Sequence, residues 1–201
     1  MIANYSKLTI KQFLNCKRIT ESISDPIDKN VRLLAEISGR SVDEIESLPL
    51  GKLKDQLKEL SNIESLTEAK KLKLKFKLKG QRFEIIWKQQ ELTAAQYIDV
   101  NHFAKDHESI VYNIHNILAA ITVKRTWYGK RLKYDGTTHK DTAELFLNHM
   151  TIEQAYPIML FFCKYYEELA NNILTYLSGQ AVEIMKEVEK TFGPNTGSLQ
   201  S

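Results

Sequence analysis

Apolar residues recur at intervals of three and four along most of this chain and at intervals of two in one place. That change of rhythm separates helices from a hairpin. Phe13, Cys16 and Ile23 line one side of a helix starting near Ile10. Asp25-Pro26, an N-cap acid followed by a first-turn proline, opens a second helix striped by Ile27, Val31, Leu34 and Ile37 and closed by Gly39. Ser41-Val42-Asp43-Glu44 opens a short third helix that stops before Pro49. Leu50, Leu53, Leu57 and Leu60 mark the narrow seam of a fourth, too short for a lasting coiled coil and expected to pack within its own domain.

The rhythm then becomes two. Leu72, Leu74, Phe76 and Leu78 alternate with Lys73, Lys75, Lys77 and Lys79; Gly80 supplies the turn, and Phe83, Ile85 and Trp87 return on one face. A β-hairpin over about residues 72–87 is expected, apolar on one face and basic on the other. A lone hairpin is marginal in water, so its apolar face must lie on helices or on another molecule.

Helical spacing resumes at Ala94–Ala104 and again in a core helix carrying Ile110, Val111, Ile114, Ile117, Leu118 and Ile121. A loop follows from Val123 to Gly136, then a helix that starts near Thr138 and ends before Thr151. A long helix over Ile152–Leu177 is expected to bend at Pro157, where a backbone donor is missing. A last helix striped by Ala181, Met185, Val188 and Phe192 stops at Gly193-Pro194, and Asn195–Ser201 reads as a flexible tail. The expected fold is mainly α, a multi-helix protein with one embedded β-hairpin. Its expected divisions are a helical subdomain over 1–66, the hairpin with C-terminal helices over 67–192, and the tail over 193–201.

One start signal occurs three times. Thr9 with Gln12, Thr93 with Gln96 and Thr151 with Gln154 each combine an N-cap threonine with a glutamine at the third helical position, behind an apolar staple residue. The separations, 84 and 58 residues, share no period, so these are repeated caps and not a repeat architecture.

Charge adds a second layer. The net charge is +3, but residues 70–88 hold eight Lys/Arg against Glu84 alone, and residues 124–134 hold five against none. These zones sum to +12 and the remainder to −9, making basic regions on an acidic body. Cys16 and Cys163, in apolar helical settings, read as buried thiols of a reducing compartment. No signal peptide and no membrane span are expected: Met1–Leu14 lacks a charged start before an apolar run, and the longest apolar run, Ala155–Cys163, is far below the ~20 residues a span needs. The expected location is the cytoplasm.

Catalytic patterns are missing. His107 and His115 are too far apart on a helix to share an ion without a third element, and His102, His139 and His149 lack ligand spacing. All five read as surface or capping histidines. There is no nucleophile elbow, no phosphate-cradling glycine loop, and Cys163 in Leu160-Phe161-Phe162-Cys163 is poorly placed to ionise. No catalytic residue, metal or cofactor is expected.

The basic zones remain as binding candidates. Lys73, Lys75 and Lys77 on the first strand could track phosphates, or could simply discourage edge-to-edge pairing. Lys124–Tyr134 interleaves five cations with Trp127, Tyr128 and Tyr134, a pattern suited to base stacking or to an acidic partner. The same residues fit a second hairpin around Gly129 with its cations in water. Trp127, Tyr128, Arg131 and Tyr134 are the candidate contact residues, because Trp, Tyr and Arg dominate binding energy at interfaces.

Three stretches together resemble a known group. Ser41-Val42-Asp43-Glu44-Ile45-Glu46-Ser47-Leu48-Pro49-Leu50, then Gly80-Gln81-Arg82-Phe83 at the turn of a basic hairpin, then Leu92-Thr93-Ala94-Ala95-Gln96-Tyr97-Ile98-Asp99-Val100 are similar to small tailed-bacteriophage baseplate-hub and tail assembly proteins, including tail assembly chaperones. The resemblance runs over about residues 8–180. It implies a non-enzymatic factor that binds a tail or baseplate protein during virion morphogenesis in the host cytoplasm, and it carries over no site residues. Two alternatives stay open: a nucleic-acid-binding module using the basic zones, and a permanent virion component.

Overall fold

Nine α-helices and a three-stranded antiparallel sheet make up the described residues, 7–61 and 72–165, of the computed structural model. The protein is mainly α with an embedded hairpin. In chain order the elements are α1 (Ile10–Ser22), α2 (Pro26–Ser38), α3 (Val42–Glu46), α4 (Leu50–Ser61), β1 (Lys75–Leu78), β2 (Gln81–Ile85), α5 (Ala94–Phe103), α6 (His107–Tyr112), α7 (Ile114–Ala120), β3 (Thr122–Arg125), α8 (Gly136–His149) and α9 (Ile152–Tyr165). The expected helix beyond residue 165, the last helix, the tail, Lys70, Lys71 and the Cys163 side chain lie outside the described residues.

Local signals set the helix starts. Thr9, Ser41 and Thr93 each close a full capping box, the threonine or serine oxygen accepting from the third helical N–H while that residue's side chain accepts from the cap's own N–H. Gly39 ends α2 at φ +68°, a left-handed position that glycine fills without Cβ strain. Two of the boxes do more than cap. Gln12 Nε2 donates to the Glu36 carbonyl at 3.2 Å, and Gln96 Nε2 donates to the Ala120 carbonyl at 2.8 Å. Each glutamine thus caps its own helix and ties it to another.

The first and last described helices begin together. Thr9 and Thr151 form an antiparallel bridge. Ile10 N–H donates to the Met150 carbonyl at 2.9 Å, and Ile152 N–H donates to the Leu8 carbonyl at 2.8 Å. A helix's first N–H groups have no partner within the helix. Here each helix start supplies one for the other, and both staple residues, Leu8 and Met150, are buried beneath the pair.

Three elements differ from expectation. The single core helix over Ile110–Ile121 is broken at Asn113, whose backbone (φ −103°, ψ 14°) ends α6 and begins α7. Apolar spacing continues through the break, so periodicity carries no trace of it. The loop from Val123 to Gly136 begins as a strand: Thr122–Arg125 pairs antiparallel with β2, in register Arg82↔Arg125, Phe83↔Lys124, Glu84↔Val123 and Ile85↔Thr122. The sheet order is β1-β2-β3. The hairpin itself is shorter than the alternation suggests, with Phe76 opposite Phe83, while Leu74 and Trp87 lie half-open to solvent beyond the strands.

The sheet's inner face meets α8. Phe83 and Phe146 are fully buried with ring centroids 5.1 Å apart, edge to face, and Phe76 stacks on Phe83 at 5.5 Å. One contiguous hydrophobic cluster runs from Leu8 to Leu57 and on through Leu78 to Phe162. Within the fourth helix, Leu53 and Leu57 are buried but Leu50, at its start, is exposed. Cys16 is buried and its thiol is pushed up to about 12, first by burial and then by Glu36.

Two histidines expected at the surface are turned inward, one buried and one half-buried. His139 is buried, stacks on Phe103 at 5.5 Å and bonds through Nε2 with the Asn116 carbonyl at 3.0 Å. His115 has a buried Nδ1 without a hydrogen-bond partner, and its pKa is lowered to about 4 by burial, then by His139 and Arg18. Below the ordinary value near 6.5 the unfolded chain takes up a proton that the folded His115 refuses. Stability should therefore fall as pH drops from about 6.5 to about 4, by about 1–3 kcal/mol, and this contribution should level off below that. Urea titrations across this range check it, and His115→Asn should flatten the slope.

Candidate interaction surface

The sheet's outer face is a field of cations around one acid. Lys77, Arg82 and Arg125 stand side by side across the three strands, and Lys75 faces Glu84 in the neighbouring row. Like charges directly opposite each other repel, so the arrangement needs compensation. Glu84 provides it. Its carboxylate accepts from Arg131 Nη2 at 3.0 Å and Nε at 3.2 Å, and it also pairs with Arg125. Arg131 in turn reaches Glu91 at 3.3 Å. The hydrogen bond from Arg131, against the opposing effect of burial, holds the Glu84 carboxyl below the usual carboxylate range, and Arg131 is raised by the same contact. Any stability lost on protonating Glu84 is lost below about pH 4.3, a separate window from that of His115.

Beyond β3 the chain makes the second hairpin around Gly129. Thr126 N–H donates to the Lys130 carbonyl at 2.9 Å, Gly129 N–H donates to the Thr126 carbonyl at 3.0 Å, and Gly129 adopts φ +93°. That is a three-residue hairpin loop with glycine at its left-handed position. Two sheet arginines hold it from outside: Arg82 Nη1 donates to the Trp127 carbonyl at 2.6 Å, and Arg125 Nη2 donates to the Gly129 carbonyl. The turn's backbone is fixed while its side chains are not covered. Trp127 is 81% exposed and Tyr128 64%, their rings edge to face at 5.5 Å.

The sequence candidates therefore fall into three settings. Trp127 and Tyr128 form the exposed tip. Lys73, just before β1, and Lys75 and Lys77 on it are exposed and have no ion pair among the described residues. Arg131 and Tyr134 are engaged internally: Arg131 with Glu84 and Glu91, and the half-buried Tyr134 through a hydroxyl that donates to Asp99. Burial, and then that hydrogen bond, push the Tyr134 phenol up. Glu84 is the residue that sequence reasoning passed over. Its signal was its position as the single acid within residues 70–88, on the polar side of a strand.

A groove of about 800 Å³ runs beside this face. Lys73, Lys75, Lys77, Arg82 and Arg125 contribute charge to its lining, and Phe76, Phe83, Met150, Pro157 and Ile158 contribute apolar surface, with Glu153 the one acid among them. Among the described residues, no three His, Cys, Asp or Glu side chains converge as metal ligands would, and no helix is long and apolar enough to cross a membrane. Comparison with models of known protein families, with curated proteins and with solved structures finds no match.

Proposed function

We propose that this protein is a non-enzymatic binding protein that holds a protein partner through the Trp127-Tyr128 tip and the adjoining basic face. The observation that carries this reading is the tip itself: two large aromatic side chains in water on a backbone pinned by Arg82 and Arg125. Ordering such a loop on binding costs little, because the turn is already made. Trp and Tyr bury large area and keep a polar group for hydrogen bonding, the profile of an interface anchor. The resemblance of the chain to phage tail and baseplate assembly proteins points to a tail or baseplate component as the partner.

Co-expression with candidate tail and baseplate proteins followed by pull-down tests the reading. Trp127→Ala should weaken capture by about 2 kcal/mol, some thirtyfold, with the melting temperature unchanged, since the ring stands in solvent against another exposed ring. Equal capture by wild type and variant would rule out the tip as anchor. The row Lys77-Arg82-Arg125 favours a second reading, a nucleic-acid-binding module. On that reading a single-stranded oligonucleotide would bind at physiological salt, with an affinity falling steeply as salt rises.

A further inference from the structure

The Ile85 N–H donates to the Leu74 carbonyl at 2.8 Å. In an antiparallel pair, hydrogen-bonded residues alternate with non-bonded ones. Leu74, Phe76 and Leu78 therefore direct their backbone groups at β2, and those of Lys75 and Lys77 point away from the sheet. No described strand lies on that side. The groove is lined by three consecutive residues, Lys75, Phe76 and Lys77, which alternate between the strand's two faces. Met150 and Pro157 also line it, and it extends to Arg82, Phe83 and Arg125 of the neighbouring strands.

We propose that the edge of β1 takes an extended segment of the partner as an added strand, acidic and apolar at alternate positions. The inference rests on the reading that the partner is a protein. A strand in register with β1 would turn one set of side chains toward Lys75 and Lys77 and the other toward Phe76, Met150 and Pro157. Carboxylates on the first set meet cations that have no ion pair among the described residues, and apolar groups on the second meet the groove's apolar wall. A nucleic acid would satisfy the lysines but not the edge. Its backbone offers phosphate acceptors and no regular row of N–H donors, which leaves the outward carbonyls of Lys75 and Lys77 unpaired.

A fluorescein-labelled peptide of alternating glutamate and valine tests this by fluorescence anisotropy and amide hydrogen exchange on the full chain. The amides of Lys75 and Lys77 should exchange rapidly in the free protein and slow when peptide is added. N-methylation of one alternate set of peptide amides should weaken binding roughly tenfold or more, the loss expected for two backbone hydrogen bonds, while methylation of the other set leaves it unchanged. The double substitution Lys75→Glu/Lys77→Glu, at exposed positions and monitored for folding by circular dichroism, should abolish binding. Equal effects of the two methylated sets, protection of both lysine amides in the free protein, tighter binding of oligothymidylate, or no binding at all would each overturn the proposal. Partner capture that needs Trp127 but ignores the lysine substitutions would overturn this inference alone. If no protein is captured at all, the broader reading falls with it.

Discussion

Phe83→Ala is expected to lower the unfolding free energy by about 3–5 kcal/mol, the largest effect of any single truncation in the sheet. Phe83 lies on the central strand, 1% exposed, against the rings of Phe76 and Phe146, which also meet each other at 6.0 Å. β2 is paired on both sides, so it cannot sink into the space the ring leaves, and the cavity term adds to the lost transfer energy. Phe76, half-buried on the edge strand, should cost less when truncated, about 1–2 kcal/mol, because solvent already reaches it. Urea titrations of the two variants separate these outcomes. A loss below about 1 kcal/mol for Phe83→Ala would mean that the sheet is not keyed to α8 through this ring.

Gln96→Glu is expected to cost about 2–4 kcal/mol at neutral pH, although it leaves the capping box formally intact. The new carboxylate would still accept from the Thr93 N–H. It would also set a buried negative oxygen against the Ala120 carbonyl, where Gln96 Nε2 now donates at 2.8 Å. Burial and that carbonyl both raise the pKa of the introduced acid above its unfolded value near 4.3. The sign follows: the penalty is full above the raised folded pKa and is relieved as pH falls toward 4.3, where a protonated carboxyl can donate in place of the amide. The stability of the variant relative to wild type should therefore rise on acidification. A gap that stays constant from pH 7 to pH 5 would assign the cost to something other than this buried contact.

Features encoded over a few neighbouring residues were legible in the sequence. Capping boxes at Thr9, Ser41 and Thr93 and the glycine stop at Gly39 require only local geometry, and all four are present. Alternation from Leu72 to Leu78 gave the hairpin its register, because one side had to find the core. What escaped was set by partners far along the chain. Thr122–Arg125 is too short for a period, and it becomes a strand because β2 offers a free edge beside it. The second role of Gln12 and Gln96 depends on which carbonyl another helix brings within reach. In the candidate surface, exposure of Trp127 and Tyr128 follows from the turn chemistry around Gly129, whereas the commitment of Arg131 to Glu84 and Glu91 needed the fold.

The bridge between Thr9 and Thr151 has a consequence for the chain during synthesis. Helix α1 is made before α9, and the local half of its N-terminal cap, Thr9 with Gln12, can form as soon as the first turn emerges. The N–H of Ile10 then waits for the carbonyl of Met150. Until the ribosome has delivered that residue, Leu8 has no cover from the start of α9. Closing so long a loop also carries an entropic cost that only the intervening helices can defray by folding first. The amides of Ile10 and Ile152 should accordingly be among the last to gain protection in a pulse-labelled refolding experiment, even though the helix that Ile10 begins is synthesised well before α9.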